Sequence, residues 1–145
     1  LQVFGGVSYI DTEITDDFFN YTPLVQFQNF KGEPFPYTPK WSGNLGMEYS
    51  FPVSASSQVF VGGNVSYQDE TNGGFGQLPI VDVPSYTLVD ARLGWEAQDG
   101  SWRVSVWGKN ITDEYYWVNT TVLNDASFRF AGKPATYGIS LSIRN

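Results

Sequence analysis

Apolar and polar residues alternate with a period of two along six stretches of this chain. That period marks a β-strand whose two faces meet different surroundings. In the cleanest stretch Trp41, Gly43, Leu45, Met47, Tyr49 and Phe51 take the odd positions, and Ser42, Asn44, Gly46, Glu48 and Ser50 the even ones. Val89, Ala91, Leu93 and Trp95 stand against Asp90, Arg92, Gly94 and Glu96, and Tyr137, Ile139, Leu141 and Ile143 against Gly138, Ser140, Ser142 and Arg144. Val59, Val61, Gly63, Val65 and Tyr67 oppose Gln58, Gly62, Asn64, Ser66 and Gln68, with Phe60 out of place. Trp102, Val104 and Val106 oppose Arg103, Ser105 and Lys109, with Trp107 out of place. The first stretch, Val3, Gly5, Val7 and Tyr9, is the weakest, because Phe4 and Ile10 interrupt its polar side.

The pattern predicts an all-β chain, an antiparallel meander of about six amphipathic strands. Composition agrees: 17% of residues are aromatic, 15 are glycine and one is methionine, a palette that suits strands better than helices. No apolar run reaches 18 residues, so no transmembrane helix is encoded. A barrel strand averages out to a mildly polar sequence, so that absence leaves a membrane β-barrel open. With no cysteine and no histidine there is no disulfide framework, no thiolate metal site and no Ser-His-Asp arrangement. We expect no catalytic residues, no bound metal and no cofactor. The net charge of −7 and eight scattered Lys and Arg residues argue against nucleic acid as a partner.

A soluble sandwich also alternates, so two further features separate the possibilities. Tight connections at 52–56 and 97–101 alternate with long ones at roughly 15–39, 71–84 and 119–133, the short-long rhythm of an outer-membrane barrel. Tyr9, Tyr49, Tyr67, Tyr137, Trp41, Phe51, Trp95 and Trp102 fall near segment ends on the apolar side, as interfacial girdles do. The chain then reads as part of the wall of a transmembrane β-barrel.

Parity assigns Leu45, Val65, Leu93, Val104 and Leu141 to lipid at mid-bilayer, and Asn44, Ser66, Arg92, Arg103 and Ser140 to the lumen. Leu93→Arg should then damage insertion, and Ser140→Arg should be nearly silent. Mixed charge on the second face suits a wet lumen better than acid-base catalysis. The acidic groups Asp11, Glu13, Asp16 and Asp17, then Asp69 and Glu70, then Asp113 and Glu114, lack the spacing of a calcium loop and read as solvated surface. Phe18, Phe19, Tyr21, Phe27, Phe30, Phe35 and Tyr37 crowd the first long loop. They are candidate contacts for a small-molecule ligand, or packing against neighbouring loops.

Four motifs in order carry a family resemblance. Thr38-Pro39-Lys40-Trp41 with Asn44-Leu45-Gly46, Tyr86 to Gly94, Lys109-Asn110-Ile111-Thr112-Asp113-Glu114-Tyr115-Tyr116, and Gly132-Lys133-Pro134-Ala135-Thr136-Tyr137 resemble the last strands of TonB-dependent receptors. Ala135 stands where the family often has Arg, and Asn145 where it usually has an aromatic. The resemblance implies that residues 1–145 are the C-terminal barrel segment of an outer-membrane receptor in a bacterial cell. Such receptors import scarce nutrients such as iron-siderophore complexes. It also implies a plug domain and further strands ahead of Leu1, and coupling to the TonB complex through a region outside this chain. The alternatives are a small structural or adhesive outer-membrane barrel, or a soluble β-sandwich binding module.

Overall fold

The computed structural model describes residues 1–123 and 125–144. Asn145 lies outside the described residues. In chain order the strands are β1 (Gln2–Tyr9), β2 (Phe19–Tyr21), β3 (Phe27–Asn29), β4 (Trp41–Pro52), β5 (Ser57–Gln68), β6 (Thr71–Asn72), β7 (Asp82–Val83), β8 (Tyr86–Ala97), β9 (Trp102–Lys109), β10 (Trp117–Leu123), β11 (Ala126–Ala131) and β12 (Thr136–Ile143). A 3-10 turn, Pro79–Val81, precedes β7.

Six of these make one antiparallel sheet in the order β1-β4-β5-β8-β9-β12. Each long strand pairs with the next long strand in sequence, so the sheet is a simple meander with β1 and β12 at its edges. Register carries each strand's alternation across the whole sheet. Gly5, Leu45, Val65 and Val89 form one row of direct partners. Tyr49, Val61, Leu93, Val106 and Ile139 form another. A slip of one residue would move a whole apolar set to the other face, so this pattern specifies the register strongly.

The turns follow from their residues. Between β8 and β9, Gly100 takes the left-handed conformation at φ 74° and donates its N–H to Ala97 at 3.0 Å. The Asp99 carboxylate accepts the Ser101 N–H at 3.0 Å, which holds the Asp99 carboxyl below its usual range. Between β4 and β5, Ser54 bonds the Ser57 hydroxyl at 2.8 Å.

The polar-face aromatics that break the alternation have a common cause. Phe4 pairs with Gly46, Phe60 with Gly94 and Trp107 with Gly138, each across two neighbouring strands. A Cβ on those glycines would lie 2.3 Å, 2.2 Å and 2.4 Å from the respective ring. The rings lie flat over backbone that only glycine leaves bare.

No second sheet or α-helix covers either face among the described residues, so the two-layer packing of a sandwich is missing. Apart from Phe60 and Ala97 on the sheet, the buried apolar residues among those described lie in the loops instead. Phe30, Val81, Val83 and Ile14 are buried there, with Thr22, Asn72 and Thr120. The long connections at 10–40, 69–85 and 110–135 therefore carry structure of their own, the β2–β3, β6–β7 and β10–β11 pairs. The third begins at Asn110, earlier than its sequence suggested. The Asn110-Ile111-Thr112-Asp113 motif is the exit from β9 and not part of a strand.

Candidate functional site

Leu45, Val65, Leu93, Val104 and Leu141 share one face of the sheet, and the direct partners Leu45–Val65 and Leu141–Val104 tie them into rows. Among the described residues nothing covers this face: Leu45 is 63% and Leu141 68% exposed. Aromatics bound it at both ends. Tyr9 meets Trp41 at 4.7 Å at the loop end. Tyr49 meets Phe51 at 6.0 Å and Trp95 meets Trp102 edge-on at 5.0 Å at the turn end.

Asn44, Ser66, Arg92, Arg103 and Ser140 stand on the opposite face, where an ion network crosses from β4 to β9. Glu48 accepts from Arg92 at 2.7 Å and from Arg103 at 3.3 Å, and Arg103 also reaches Glu96 at 3.1 Å. Gln58 donates to Glu96 at 2.8 Å. Gly62 sits between Glu48 and Arg92 in the same row, and its bare backbone lets the guanidinium lie across β5; a Cβ there would be 3.0 Å from Arg92 Nε. The Arg103 guanidinium rests 3.7 Å above the buried Phe60 ring. The carboxylates are largely shielded and the arginines are half-exposed, so the network is a solvated, self-neutralised strip. Each pair contributes on the order of 1 kcal/mol at most.

The three long loops interlock above the sheet. Phe18 and Phe30 pack with Phe75 at 5.3 and 5.0 Å. Gly76 donates its N–H to Glu33 at 2.8 Å, joining the first loop to the second. The Tyr37 hydroxyl bonds Asn119 Oδ1 and the Thr120 carbonyl, joining the first to the third. Buried Thr120 donates to the Val81 carbonyl at 2.7 Å, joining the third to the second. The seven aromatics of the first loop thus divide by role. Phe30 is fully buried, which for this residue agrees with the second alternative, packing against neighbouring loops. It belongs to the loop core, because the second loop supplies Phe75 to cover it. Phe18 partly shares that role, and Tyr37 is a tie. Phe19, Tyr21 and Phe27 remain exposed along the β2–β3 hairpin, Phe27 stacked on Phe19 at 6.0 Å and tilted against Tyr21 at 5.1 Å.

Phe35 lines a cavity of about 370 Å³ at the foot of the loops, with Asp11, Lys40, Asp69, Glu70 and Asp82. The acidic side chains form no metal-holding group among the described residues. Lys40–Asp11 and Lys31–Asp17, at 3.9 and 3.8 Å, are solvent-exposed pairs of little energetic weight.

Sequence reasoning missed Asn110, which is buried with φ 48°. Its N–H bonds Asp90 at 2.9 Å, its amide donates to the carbonyls of Glu114 and Lys133, and its Oδ1 accepts the Glu114 N–H. Together with Asp113, which accepts the Ala135 N–H at 2.9 Å, it clasps the exit of β9 to the entry of β12. An Asn followed three residues later by Asp just past a strand was the available signal.

A single-layer antiparallel meander, apolar on one face and polar on the other, under interlocked loops, is the wall of a transmembrane β-barrel. Residues 1–111 match the family described as TonB dependent receptor-like, beta-barrel, and the chain belongs to that family. No solved structure matches it. Membership makes this a barrel region of an outer-membrane receptor or transporter, a class that is not enzymatic.

Proposed function

We propose that the chain is the C-terminal barrel segment of a receptor that imports a scarce nutrient, such as an iron-siderophore complex, across the outer membrane. Leu45, Val65, Leu93, Val104 and Leu141 face lipid, and Asn44, Ser66, Arg92, Arg103 and Ser140 face the lumen. The observation that carries this reading is the uncovered apolar face bounded by aromatics at both ends. A contiguous surface of that kind is rare on a soluble monomer and suits hydrocarbon with two interfacial girdles. Backbone groups at the edges of β1 and β12 must pair in hydrocarbon, where each orphan costs several kcal/mol. Further strands of the parent protein close the barrel, a plug domain fills it, and TonB couples to a region outside residues 1–145. The ligand meets the exposed loop aromatics Phe19, Tyr21, Phe27 and Phe35.

Growth of a deletion strain on single iron chelates and oligosaccharides, with and without the coupling protein, tests this. Energy-dependent growth on one nutrient, restored by the intact gene, is the expected result. An intact barrel with no energy-coupled uptake would instead identify a structural or adhesive barrel.

A further inference from the structure

The three long loops are tied to one another in a closed circuit. The Tyr37 N–H of the first loop donates to the Asn72 carbonyl of the second at 2.9 Å. Thr120 of the third loop donates its hydroxyl to the Val81 carbonyl of the second at 2.7 Å. The Tyr37 hydroxyl returns from the first loop to the Thr120 carbonyl of the third. Within the second loop the Gly73 N–H reaches the Val81 carbonyl at 2.8 Å, so that loop's two contact points are themselves joined. All three loops meet over Gly73. A Cβ there would lie 2.5 Å from Thr120 Oγ1, 2.8 Å from the Tyr37 hydroxyl and 2.9 Å from the Thr120 carbonyl oxygen. The last is backbone, and the Thr120 side chain is fully buried, so neither has room to yield.

A circuit behaves differently from a row of separate ties. When one bond in it opens, the other two keep its partners close, at a high effective concentration for re-forming it. Separation therefore needs two ties to fail together. Apolar packing raises that requirement. Phe75 of the second loop packs on Phe18 and Phe30 of the first, and the Pro23 ring of the first covers Gly74 of the second, 2.5 Å from where a Cβ would stand. At their roots the loops continue the sheet: ladder bonds run on from Ile10 to Lys40, from Asp69 to Trp41 and from Ile111 to Val89, at 2.9, 2.9 and 2.8 Å.

We propose that the three loops are one lid over this part of the barrel mouth, which opens as a single piece or not at all, with Gly73 the position that joins them. The inference rests on the contacts between the loops and not on which nutrient passes beneath them. Opening uncovers Phe30, Val81, Val83 and Thr120 together, so the lid has two states and no stable half-open one. A ligand that holds one loop closed then holds all three.

Native-state hydrogen exchange of the intact receptor in lipid nanodiscs, followed through low urea, tests this. The expected result is one shared opening for the amides of Phe30, Tyr37 and Gly73 and those of the β10–β11 ladder, distinct from the opening of the six-stranded sheet. Gly73→Ala should raise that shared opening roughly tenfold in all three loops, the scale of an overpacked contact. Pro23→Cys combined with Gly74→Cys keeps the test valid if Gly73→Ala harms folding, in a chain that has no cysteine of its own. The disulfide ties only the first loop to the second, yet oxidation should slow exchange in the third about tenfold against the reduced form and each single variant. Exchange in the third loop that ignores both Gly73→Ala and the disulfide would overturn the single-piece lid. Separate opening equilibria for the three loops would overturn it as well. Either failure leaves the importer reading standing, because the growth assay decides that reading without reference to how the loops open.

Discussion

Phe60 lies over the α-carbon of Gly94, its direct partner on the next strand, and fills the space a side chain there would need. A Cβ on Gly94 would also meet the Val104 carbonyl oxygen at 2.5 Å, and that backbone atom cannot swing aside. Gly94→Ala should therefore destabilise the folded barrel by about 1–3 kcal/mol, the usual cost of overpacking. Urea unfolding from lipid vesicles measures it, and a change within error would mean that the sheet relaxes freely here.

The assignment of faces predicts an asymmetry. Leu93→Arg should cost roughly 2–4 kcal/mol of folding free energy in lipid vesicles, because it places a charge at mid-bilayer. Ser140, the partner first suggested by parity, is a poor silent control because it accepts the Trp107 indole N–H. Ser66, on the same polar face, replaces it, and Ser66→Arg should cost little. Equal damage from Leu93→Arg and Ser66→Arg would contradict a lipid face and a wet face.

The loop core predicts a local effect. Phe30→Ala removes a fully buried ring from between Phe18 and Phe75, a truncation that ordinarily costs about 3–5 kcal/mol. The loss falls on the interlocked loops and not on the sheet ladder, so cleavage in residues 10–40 and 69–85 should accelerate while the strands stay protected. Phe27→Ala, on the exposed hairpin, should leave the cleavage rate unchanged.

Asn110 combines a left-handed backbone with three side-chain hydrogen bonds. Asn110→Ala should cost at least about 2 kcal/mol, since it strains the backbone and leaves the Glu114 N–H and two carbonyls without partners. Asn110→Gly relieves only the strain and should recover part of the loss. Hydrogen exchange at the Glu114 amide reports the clasp directly, and unchanged protection in the alanine variant would show that it is dispensable.

The strands were legible because a single-layer barrel wall writes its environment into every second residue. Leu93 and Arg92 are neighbours in sequence, yet they meet different surroundings, and the pleat alone separates them. The tight turns were equally local, carried by Gly100 and Asp99, whereas the clasp at Asn110 was missed although its signal is local too. The lone aromatics were not legible. Nothing next to Phe60 in sequence explains it; the explanation is Gly94, which register brings beside it from 34 positions away. The same holds for Glu48 and Arg92, joined across Gly62, and for Phe30, whose exposure depends on Phe75 from another loop. Alternation is a property of the backbone that each residue senses alone. The seating of a ring, the pairing of charges and the burial of a loop aromatic are properties of neighbours, and only the folded sheet and its loops choose those neighbours.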